Sequence, residues 1–470
     1  MENLRKNQAL FLLLLSLSSF YGIALSFSPA DDYLIDCGST VDTTVDNRLF
    51  ISDSSRASSH LLTFSTRSKS IQLSHRNGKL PEIYNSARVF DRPSRYIFKI
   101  RDKGTHMVRL HFYQLNSSQF VSDDAQFHVL VNGYVVLSNF SVGNIIASAS
   151  VKEYLIWINA EKLVIAFLPT MKSKFAFVNA IEVISAPKDL ILDTAKFVNG
   201  DKIDNFDALS KQALEVMYRV NVGGPKVTPF NDTVWRTWLP DDEFLKSSEG
   251  SKKVYSTGRI WYQSGGASRE IGPDNVYNTA RVIAATNASI PNLNMTWEFP
   301  VIEGYKYLVR LHFCDIASIS LGLLFFNVYV NGNLAYKDLD LSIVAGYSLA
   351  SPFYADFVVD SYHSGVLSVS VGPSDKSLGY AVDGILNAVE IMKMNKSMGI
   401  LDGELCAGLI LKTWPRGNVG ILVPLIAALC VMLSLSVFKH RTFWFKNSVA
   451  WSKLPMDVSE ITSKSGNQHT

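Results

Sequence analysis

The pentapeptide Val-Arg-Leu-His-Phe occurs twice in this chain, at residues 108–112 and 309–313. In each copy the apolar residues alternate with the arginine and the histidine, so valine, leucine and phenylalanine share one face of a predicted β-strand. The period is too long for a solenoid repeat and indicates two copies of one domain. Any fold proposed for the chain must therefore contain two copies of this domain.

Three further motifs recur around the pentapeptide in the same order. They are Tyr-Asn-(Ser/Thr)-Ala-Arg-Val at 84–89 and 277–282, Val-Asn-Gly at 131–133 and 330–332, and Asn-Ala-(Ile/Val)-Glu at 179–182 and 387–390. Their spacing differs between the copies, as expected when insertions fall in loops between fixed strands. We predict a first repeat at 27–187 and a second repeat at 188–395.

Short apolar stretches predict β-strands, for example at 127–131 and 177–184. Asn132-Gly133, directly after the first of these, is typical of a tight turn between strands. The best helical pattern is short and lies at 208–216. Many short strands with turn residues between them predict an all-β fold in which each repeat is a β-sandwich.

Composition agrees with a folded protein of more than one domain. The chain has 470 residues, of which 47% are hydrophobic and 19% charged, values typical of core-forming proteins and not of disordered ones. The formal net charge of +3 gives no indication of a nucleic-acid partner, and we expect none.

The beginning of the chain resembles a secretory signal peptide. Arg5 and Lys6 precede a short apolar stretch, and Ala24 and Ser26 form a small-residue cleavage site. We therefore predict a signal peptide at 1–26.

The end of the chain predicts a membrane anchor. Residues 419–438 carry no charge over a length that spans a bilayer, and Lys439 and Arg441 directly after them place the C-terminus in the cytoplasm. The prediction is a stalk at 396–418, one transmembrane helix at 419–438 and a short disordered tail at 439–470. Such a chain is a single-pass type I protein of the plasma membrane, with its ectodomain outside the cell.

Potential N-glycosylation sites support this topology, because all of them lie between the predicted signal and the predicted span. The asparagines that begin Asn-x-Ser/Thr sequons are Asn116, Asn139, Asn231, Asn287, Asn294 and Asn395. Three cysteines lie outside the predicted span, Cys37, Cys314 and Cys406. An odd number leaves one free thiol or an intermolecular link, and the pairing is open.

No pattern in the sequence predicts catalysis, a metal or a cofactor. His111 and His312 could form a duplicated acid/base pair, but a histidine and an arginine that share the polar face of a strand are more often a structural pair. The acidic pairs at 123–124 and 241–242 lie in polar stretches and are predicted to face solvent. We expect no catalytic residue.

A long polar stretch at 225–277, called here the aromatic segment, is unusually rich in rings, including Trp235, Trp238, Trp261 and Tyr262. Loops of this length are usually functional or disordered. One interpretation is a binding surface, since Trp, Tyr and Arg anchor interfaces. The other is that these rings fill the seam between the two repeats. The sequence leaves both open, with Trp235 and Trp238 as the candidate residues.

Five motifs together resemble the plant malectin-like receptor kinases of the FERONIA and THESEUS type. They are Tyr-Leu-Ile-Asp-Cys-Gly at 33–38, Tyr-Arg-Val-Asn-Val-Gly-Gly at 218–224, Asn-Asp-Thr-Val-Trp-Arg-Thr-Trp at 231–238, Val-Arg-Leu-His-Phe-Cys at 309–314 and Val-Asn-Gly at 330–332. The resemblance implies two tandem malectin-like, jelly-roll-like β-sandwiches outside the cell. It also implies secreted cysteine-rich signalling peptides, membrane-anchored co-receptors and cell-wall pectin as partners.

The resemblance also bears on sugar binding. Tyr84 and Tyr277 correspond to a tyrosine of the disaccharide site of animal malectin. The aromatic positions that follow the pentapeptide in malectin correspond here to small polar residues, near 116–117 and 317–318. Sugar rings stack on aromatic faces, so we expect no malectin-like disaccharide binding, and Tyr84 and Tyr277 stay as ligand-binding candidates.

Three functions remain in competition. The first is a receptor-like protein that binds a peptide or a wall polymer and has no catalytic domain, because the motifs of a protein kinase are absent after residue 438. The second is a truncated product of a full receptor-kinase gene. The third is a carbohydrate-active enzyme, which would need two carboxylates in one cleft.

Overall fold

The computed structural model describes residues 27–55, 62–64, 68–73, 80–115, 120–141, 149–171, 174–200, 202–283, 294–361, 365–377, 383–413 and 419–448. The predicted signal peptide and residues 449–470 of the predicted tail lie outside the described residues. So do the sequons at Asn116 and Asn287. The described chain forms two compact units, one ending at Leu411 and the other beginning at Lys412.

The first repeat is built from short strands. Its described strands are β1 (Asp32–Asp36), β2 (Thr43–Val45), β3 (Arg48–Ser52), β4 (Leu62–Phe64), β5 (Lys69–Gln72), β6 (Ser86–Phe90), β7 (Ser94–Lys99), β8 (Gly104–Phe112), β9 (Phe127–Val131), β10 (Tyr134–Phe140), β11 (Ser150–Ile158), β12 (Lys162–Pro169), β13 (Ala176–Val178) and β14 (Ala180–Ser185). Two 3-10 turns accompany them, Glu82–Tyr84 and Ser122–Asp124.

The second repeat has the same character. Its described strands are β15 (Ala195–Asn199), β16 (Lys202–Phe206), β17 (Leu214–Asn221), β18 (Leu239–Pro240), β19 (Ser251–Tyr255), β20 (Thr279–Ile283), β21 (Met295–Pro300), β22 (Lys306–Cys314), β23 (Phe325–Val330), β24 (Asn333–Asp340), β25 (Pro352–Asp360), β26 (Val366–Pro373), β27 (Ile385–Leu386) and β28 (Ala388–Met394). The helices are α1 (Asp274–Tyr277), α2 (Leu341–Val344), α3 (Ala407–Thr413) and α4 (Val419–Ser448), and the 3-10 turns are Leu209–Lys211, Pro229–Asn231 and Ser397–Gly399. The prediction of a mostly β fold is confirmed.

One large sheet, called here the central sheet, runs through both repeats. Its strand order is β16-β15-β25-β22-β28-β17-β11-β8-β14-β1-β3-β2, with β18 paired beside β17. The repeats meet where β11 pairs with β17, through Tyr154 opposite Glu215 and Leu155 opposite Leu214. The two pentapeptide strands, β8 and β22, therefore lie in one sheet. The repeat pattern did not predict this join.

Each repeat closes a sandwich by packing a smaller sheet on one face of the central sheet. In the first repeat this sheet has the order β10-β9-β12-β7-β4, and in the second β21-β26-β23-β24. Val108, Leu110 and Phe112 of β8 are fully buried in one cluster with Phe127 and Val129 of the small sheet. Burial of each such side chain contributes about 1.5–3 kcal/mol. The predicted inward face of the pentapeptide is confirmed, and β22 repeats it.

The aromatic segment forms a third layer on the opposite face of the central sheet. Val234, Ile260 and Ile271 of this segment share a buried cluster with Met107 and Leu308 of the two pentapeptide strands. Both faces of the central sheet are thus covered around the join.

The chain returns from the second repeat to the first before it leaves this unit. Residues 396–411, called here the C-terminal strap, include part of the predicted stalk. The backbone N–H of Leu401 donates to the carbonyl of Val135 in β10 at 2.9 Å, and the Asp402 carboxylate accepts from the N–H of Ser138 at 2.7 Å. Leu401 is fully buried in the core of the first repeat, and Ile410 is buried in a small cluster with Leu130 and Leu168.

Helix α4 lies in the second unit and includes the predicted transmembrane residues 419–438. In the described part of the chain, no helix meets the length and hydropathy requirements of a membrane span.

The helical pattern at 208–216 was a wrong prediction. Only the 3-10 turn Leu209–Lys211 is helical, and the residues from Leu214 onward enter β17. β17 pairs with β28 over almost its whole length, so the hydrogen bonds of the sheet override a weak local helical preference.

Candidate functional site

The polar face of β8 carries a buried ion network. The Arg109 Nη1 lies 2.9 Å from one oxygen of Glu182, and His111 Nε2 lies 2.9 Å from the other. The Tyr84 hydroxyl lies 2.9 Å from His111 Nδ1, and Arg48 adds a second guanidinium at 2.8 Å from Glu182. Burial alone would raise the pKa of Glu182, but Arg109, His111 and Arg48 hold it well below its usual range.

The second repeat contains an equivalent arrangement. The Tyr277 hydroxyl lies 2.9 Å from His312 Nδ1, and His312 Nε2 lies 3.1 Å from Glu390. Arg219 Nε lies 2.8 Å from the other oxygen of Glu390. Burial lowers the pKa of His312, although Glu390 opposes this. A neutral His312 ring gives each polar group of this arrangement a hydrogen-bond partner. Its Nε2–H donates to the Glu390 carboxylate, and its Nδ1 accepts from the Tyr277 hydroxyl.

Glu153 joins the two arrangements across the β11–β17 pairing. One of its oxygens accepts from Arg109 Nε at 2.8 Å, and the other accepts from Arg219 Nη2 at 2.9 Å. Burial would raise the pKa of Glu153, but these two guanidinium groups lower it to about 2. Glu153 therefore carries full charge at neutral pH and fixes the two repeats to each other.

The charged members of this network are buried and paired with one another. His111 and His312 are buried, and each ring nitrogen has a protein partner. The structural interpretation of the two histidines agrees with this geometry. Among the described residues, no group of His, Cys, Asp and Glu side chains could hold a metal ion.

The aromatic segment packs directly on the network. The Val234 carbonyl accepts from Arg109 Nη2 at 3.0 Å, and the Trp235 ring lies 4.7 Å from the Arg48 guanidinium. Trp238 is fully buried, edge-on to His312, and its indole N–H donates to Asp232 at 2.8 Å. The contact with Arg48 places Trp235 at the seam between the repeats, whereas these contacts of Trp238 lie within the second repeat.

Three of the four predicted ligand-binding residues are therefore buried. Tyr84, Tyr277 and Trp238 are enclosed in the protein, whereas Trp235 is half-buried and lines a cavity. A ligand-binding role for these four residues stays a prediction, and Trp235 is the one within reach of a ligand in this structure.

Two adjoining cavities open on the outer side of the aromatic segment and share Thr233 and Arg269. The first, called here the Trp261 cavity, has a volume of about 500 Å³ and is lined also by Arg259, Trp261 and Tyr262. Trp261 is 51% exposed, and the Arg259 guanidinium lies 4.8 Å from its ring. In such a stack the N–H groups of the Arg259 guanidinium stay free to bind an anion.

The second cavity, called here the Asn231 cavity, has a volume of about 430 Å³. Asn231 and Trp235 line it, together with Phe230, whose side chain is 68% exposed, and Asp274. Arg269 separates it from the Trp261 cavity and bonds to Asp274 at 3.3 Å.

Sequence reasoning singled out the tryptophans but missed Arg259, Arg269 and Phe230. These three residues are hard to predict as site residues, because a single arginine or phenylalanine in a polar stretch belongs to no periodic pattern. Glu182 and Glu390 were also missed as network residues. For them the signal existed, since both belong to the repeated Asn-Ala-x-Glu motif.

The described sequons differ in their surroundings. Asn139, Asn231 and Asn294 are exposed. Asn395 is half-buried, and its amide accepts from the N–H of Ala213 and donates to the carbonyl of Lys396. Glycosylation at these four positions remains a prediction.

The acidic pairs are divided between surface and core. Asp123 and Asp124 are exposed, as predicted. Asp241 was predicted to face solvent and is instead fully buried, where it accepts from the indole N–H of Trp297 at 3.0 Å and contacts Arg281. The arginine supplies the countercharge that makes such burial tolerable.

The cysteines are all free thiols in this structure. Cys37 and Cys314 lie in two different buried clusters, and burial raises the pKa of each thiol. Buried thiols of this kind behave as small apolar residues. Cys406 is half-buried in the C-terminal strap.

Comparison with known proteins agrees with this architecture. The malectin-like domain model matches residues 35–394. The receptor-like protein kinase HERK 1 of Arabidopsis thaliana is 37% identical over 98% of this chain and 55% of its own length. THESEUS 1 of the same plant is 38% identical over 80% of this chain and 43% of its own. The chain thus spans about half the length of the relatives it matches.

Solved structures show the same fold. The plant receptor-like kinase ANX2 superposes with a TM-score of 0.71 at 27% identity, over 80% of this chain and 99% of that one. FER, in a complex with the plant peptide RALF23 and LLG2, superposes with a TM-score of 0.69 at 32% identity over the same shares. The chain therefore belongs to the malectin-like family, with the receptor-like kinases of the HERK 1 and THESEUS 1 type among its relatives.

Proposed function

We propose that this protein is a cell-surface receptor-like protein whose malectin-like ectodomain binds a secreted peptide together with a membrane-anchored co-receptor. The observation that carries the proposal is the likeness to FER, which has been solved with the peptide RALF23 and with LLG2. The likeness covers almost all of the FER chain in that complex. Almost every part of the FER chain therefore has a counterpart in this protein.

The Trp261 cavity is the proposed contact surface for the peptide. It combines an exposed tryptophan with a guanidinium that has no ion-pair partner among the described residues. Aromatic rings and arginines supply most of the binding energy in protein interfaces. Arg269 adds a second positive charge at the edge of the cavity, partly neutralised by Asp274. An aromatic or acidic side chain of the peptide fits these groups.

Cell-wall pectin is a second candidate ligand for the same cavity. A uronic acid presents a sugar ring and a carboxylate side by side. The face of Trp261 suits the ring, and the guanidinium of Arg259, 4.8 Å away, suits the carboxylate. This pairing favours an anionic sugar over the neutral disaccharide of animal malectin.

The topology is part of the proposal. We infer a signal peptide at 1–26, a span at 419–438 and a cytoplasmic tail, with glycans on the ectodomain. Support comes from the uncharged sequence of the span, the basic residues that follow it and the position of the sequons. Retention of the full chain in alkali-washed membranes is expected. Its release into the wash would contradict the span.

We propose no catalytic activity for residues 27–411. The relatives are named kinases, but the malectin-like match covers residues 35–394. The alternative is that the chain is part of a full receptor-kinase product. Sequencing the transcript beyond the codon for Thr470 separates the two, since a kinase reading frame in the same message supports the alternative.

The binding proposal is tested with the full chain purified in detergent. RALF23 with LLG2, and separately oligogalacturonate, serve as probes. We expect Trp261→Ala to weaken binding about tenfold or more, as loss of an anchoring ring does. The control is Trp157→Ala, which removes a tryptophan of similar exposure from β11, 38% against 51%. Equal binding by both variants, or no binding of either probe to the unmodified chain, would overturn the proposal.

A further inference from the structure

We propose that an N-linked glycan on Asn231 is a structural part of this protein, with its first N-acetylglucosamine lying in the Asn231 cavity against Phe230 and Trp235. The inference rests on the proposed extracellular location, since glycans are attached on the secretory route. It adds a ligand for the second of the two adjoining cavities and leaves the Trp261 cavity to the partner.

Among the described sequons, Asn231 and Asn395 each line a cavity, but Asn395 is half-buried and its amide is hydrogen-bonded to Ala213 and Lys396. Asn231 ends the 3-10 turn Pro229–Asn231 and is exposed, and its side chain lines the Asn231 cavity. Asn139 is equally exposed at the end of β10 but lines none of the cavities described here. A sugar on Asn231 therefore starts inside a concave surface, whereas a sugar on Asn139 starts on open surface.

The walls of the cavity suit a sugar ring. Phe230 directly precedes the asparagine and is 68% exposed, which is unusual for a phenylalanine in a folded domain. Trp235 contributes a second half-buried ring. Sugar C–H groups pack on aromatic faces, so a ring held here removes apolar surface from water.

The polar groups of the cavity suit the hydroxyl and acetamide groups of N-acetylglucosamine. The Arg269 and Asp274 side chains both line the cavity and are 37% and 45% exposed. They offer N–H donors and carboxylate acceptors on the same wall. The volume of about 430 Å³ lies in the range of small-ligand sites.

The remaining sequon residues are fixed by the fold. The Thr233 hydroxyl donates to the Arg269 carbonyl at 3.1 Å. Asp232 is buried and accepts from Arg236 and from the indole of Trp238. Because these bonds hold the sequon rigid, attachment must precede folding of the aromatic segment. In that step the Asn231 Nδ2 loses a proton and bonds to C1 of the sugar, and the lipid pyrophosphate carrier of the oligosaccharide leaves.

The first test compares glycan release from the folded and the denatured full chain, purified in detergent from a secretory host. A peptide amidase that cuts at the asparagine should release the Asn139 glycan from the folded chain. Release at Asn231 should be at least tenfold slower until the chain is unfolded. Equal rates at both sites would overturn the proposal. A glycan at Asn139 with none at Asn231 would overturn it while leaving the extracellular location intact, and no glycan at either would overturn both.

The second test uses stability. Trimming the folded chain to a single sugar per site should leave the melting midpoint unchanged, whereas Asn231→Gln should lower it by about 2 °C. Asn139→Gln is the matched control and should not move it. Phe230→Ala should lower the midpoint in the glycosylated chain but have no further effect in the Asn231→Gln background, because the ring and the sugar act as a pair. Additive effects of the two substitutions would contradict the proposed contact.

Discussion

At the scale of single residues, the repeated pentapeptide encodes two functions on two faces of a strand. Its valine, leucine and phenylalanine fill a sandwich core. Its arginine and histidine are buried on the other face, where they need carboxylates to compensate the loss of water. In each repeat the glutamate of the Asn-Ala-x-Glu motif pairs with the histidine, as Glu182 and Glu390. Glu182 also pairs with Arg109, whereas Arg310 pairs with Asp356. The motifs recur together because they form one network.

The pH dependence of stability follows from the pKa shifts in this network. The folded pKa values of Glu182 and Glu390 lie well below the ordinary 4.5, and that of His312 lies below the ordinary 6.5. In each case the unfolded chain binds protons more readily than the folded chain. The stabilisation is complete above pH 6.5 and is lost as the pH falls, first through His312 and then through the glutamates.

Chemical denaturation at pH 7, 5.5 and 4 measures this effect. Burial raises the pKa of Asp36 to about 6, which stabilises the folded chain as the pH falls from 7 to 5.5 and opposes the effect of His312. The contribution of His312 is therefore measured as a difference between the unmodified chain and His312→Gln. We expect the denaturant midpoint of the unmodified chain to decrease relative to that of His312→Gln between pH 7 and 5.5, and a constant difference would contradict a neutral His312 in the folded protein.

Glu153 is the residue at which the network can be cut most cleanly. Glu153→Gln leaves Arg109 and Arg219 buried without their shared countercharge, so we expect a loss of about 3 kcal/mol in the free energy of unfolding. Glu298→Gln is the matched control, because Glu298 pairs with Lys246 on the surface and should cost less than about 1 kcal/mol. Urea titrations measure the free energy of unfolding of both variants. Equal losses for Glu153→Gln and Glu298→Gln would contradict a larger contribution from the buried ion pairs of Glu153.

At the scale of elements, the pattern of apolar residues predicted local structure well where one face of a strand is buried. The strand at 127–131 and the turn at Asn132-Gly133 are confirmed, and both turn residues have the positive φ of a tight hairpin, 46° and 90°. The pattern failed at β17, where pairing with distant strands decides the structure. It also gave no sign of the C-terminal strap, since a few apolar residues have no readable period.

The C-terminal strap makes a specific prediction about Leu401. This side chain follows the second repeat in sequence but is fully buried in the core of the first. Leu401→Ala should therefore lower the free energy of unfolding by about 2–5 kcal/mol, as for other buried leucines. Leu405→Ala, in the same strap but 42% exposed, is the control and should change it little. A small effect at Leu401 would mean that the strap is not part of the core.

At the scale of the whole molecule, the residues up to Leu411 act as one unit. The two repeats are joined by the β11–β17 pairing, the Glu153 ion pairs, the contacts of the aromatic segment with Arg109 and Arg48, and the C-terminal strap. The aromatic segment covers this junction on one side and carries both cavities on its outer side. The mostly β fold could be predicted from the sequence. The proposed binding surface could not, because it depends on which rings of the aromatic segment remain exposed after packing.

Hydrogen–deuterium exchange of the full chain, with and without RALF23 and LLG2, tests the proposed binding surface most directly. Amides at 259–264 and 268–270, whose residues line the Trp261 cavity, should exchange more slowly in the presence of both partners, because a bound peptide excludes water from them. Amides of β9 and β12, buried in the first repeat, should be unaffected. Slower exchange confined to the first repeat, or no change at 259–264 and 268–270 under conditions where the partners bind, would contradict the account.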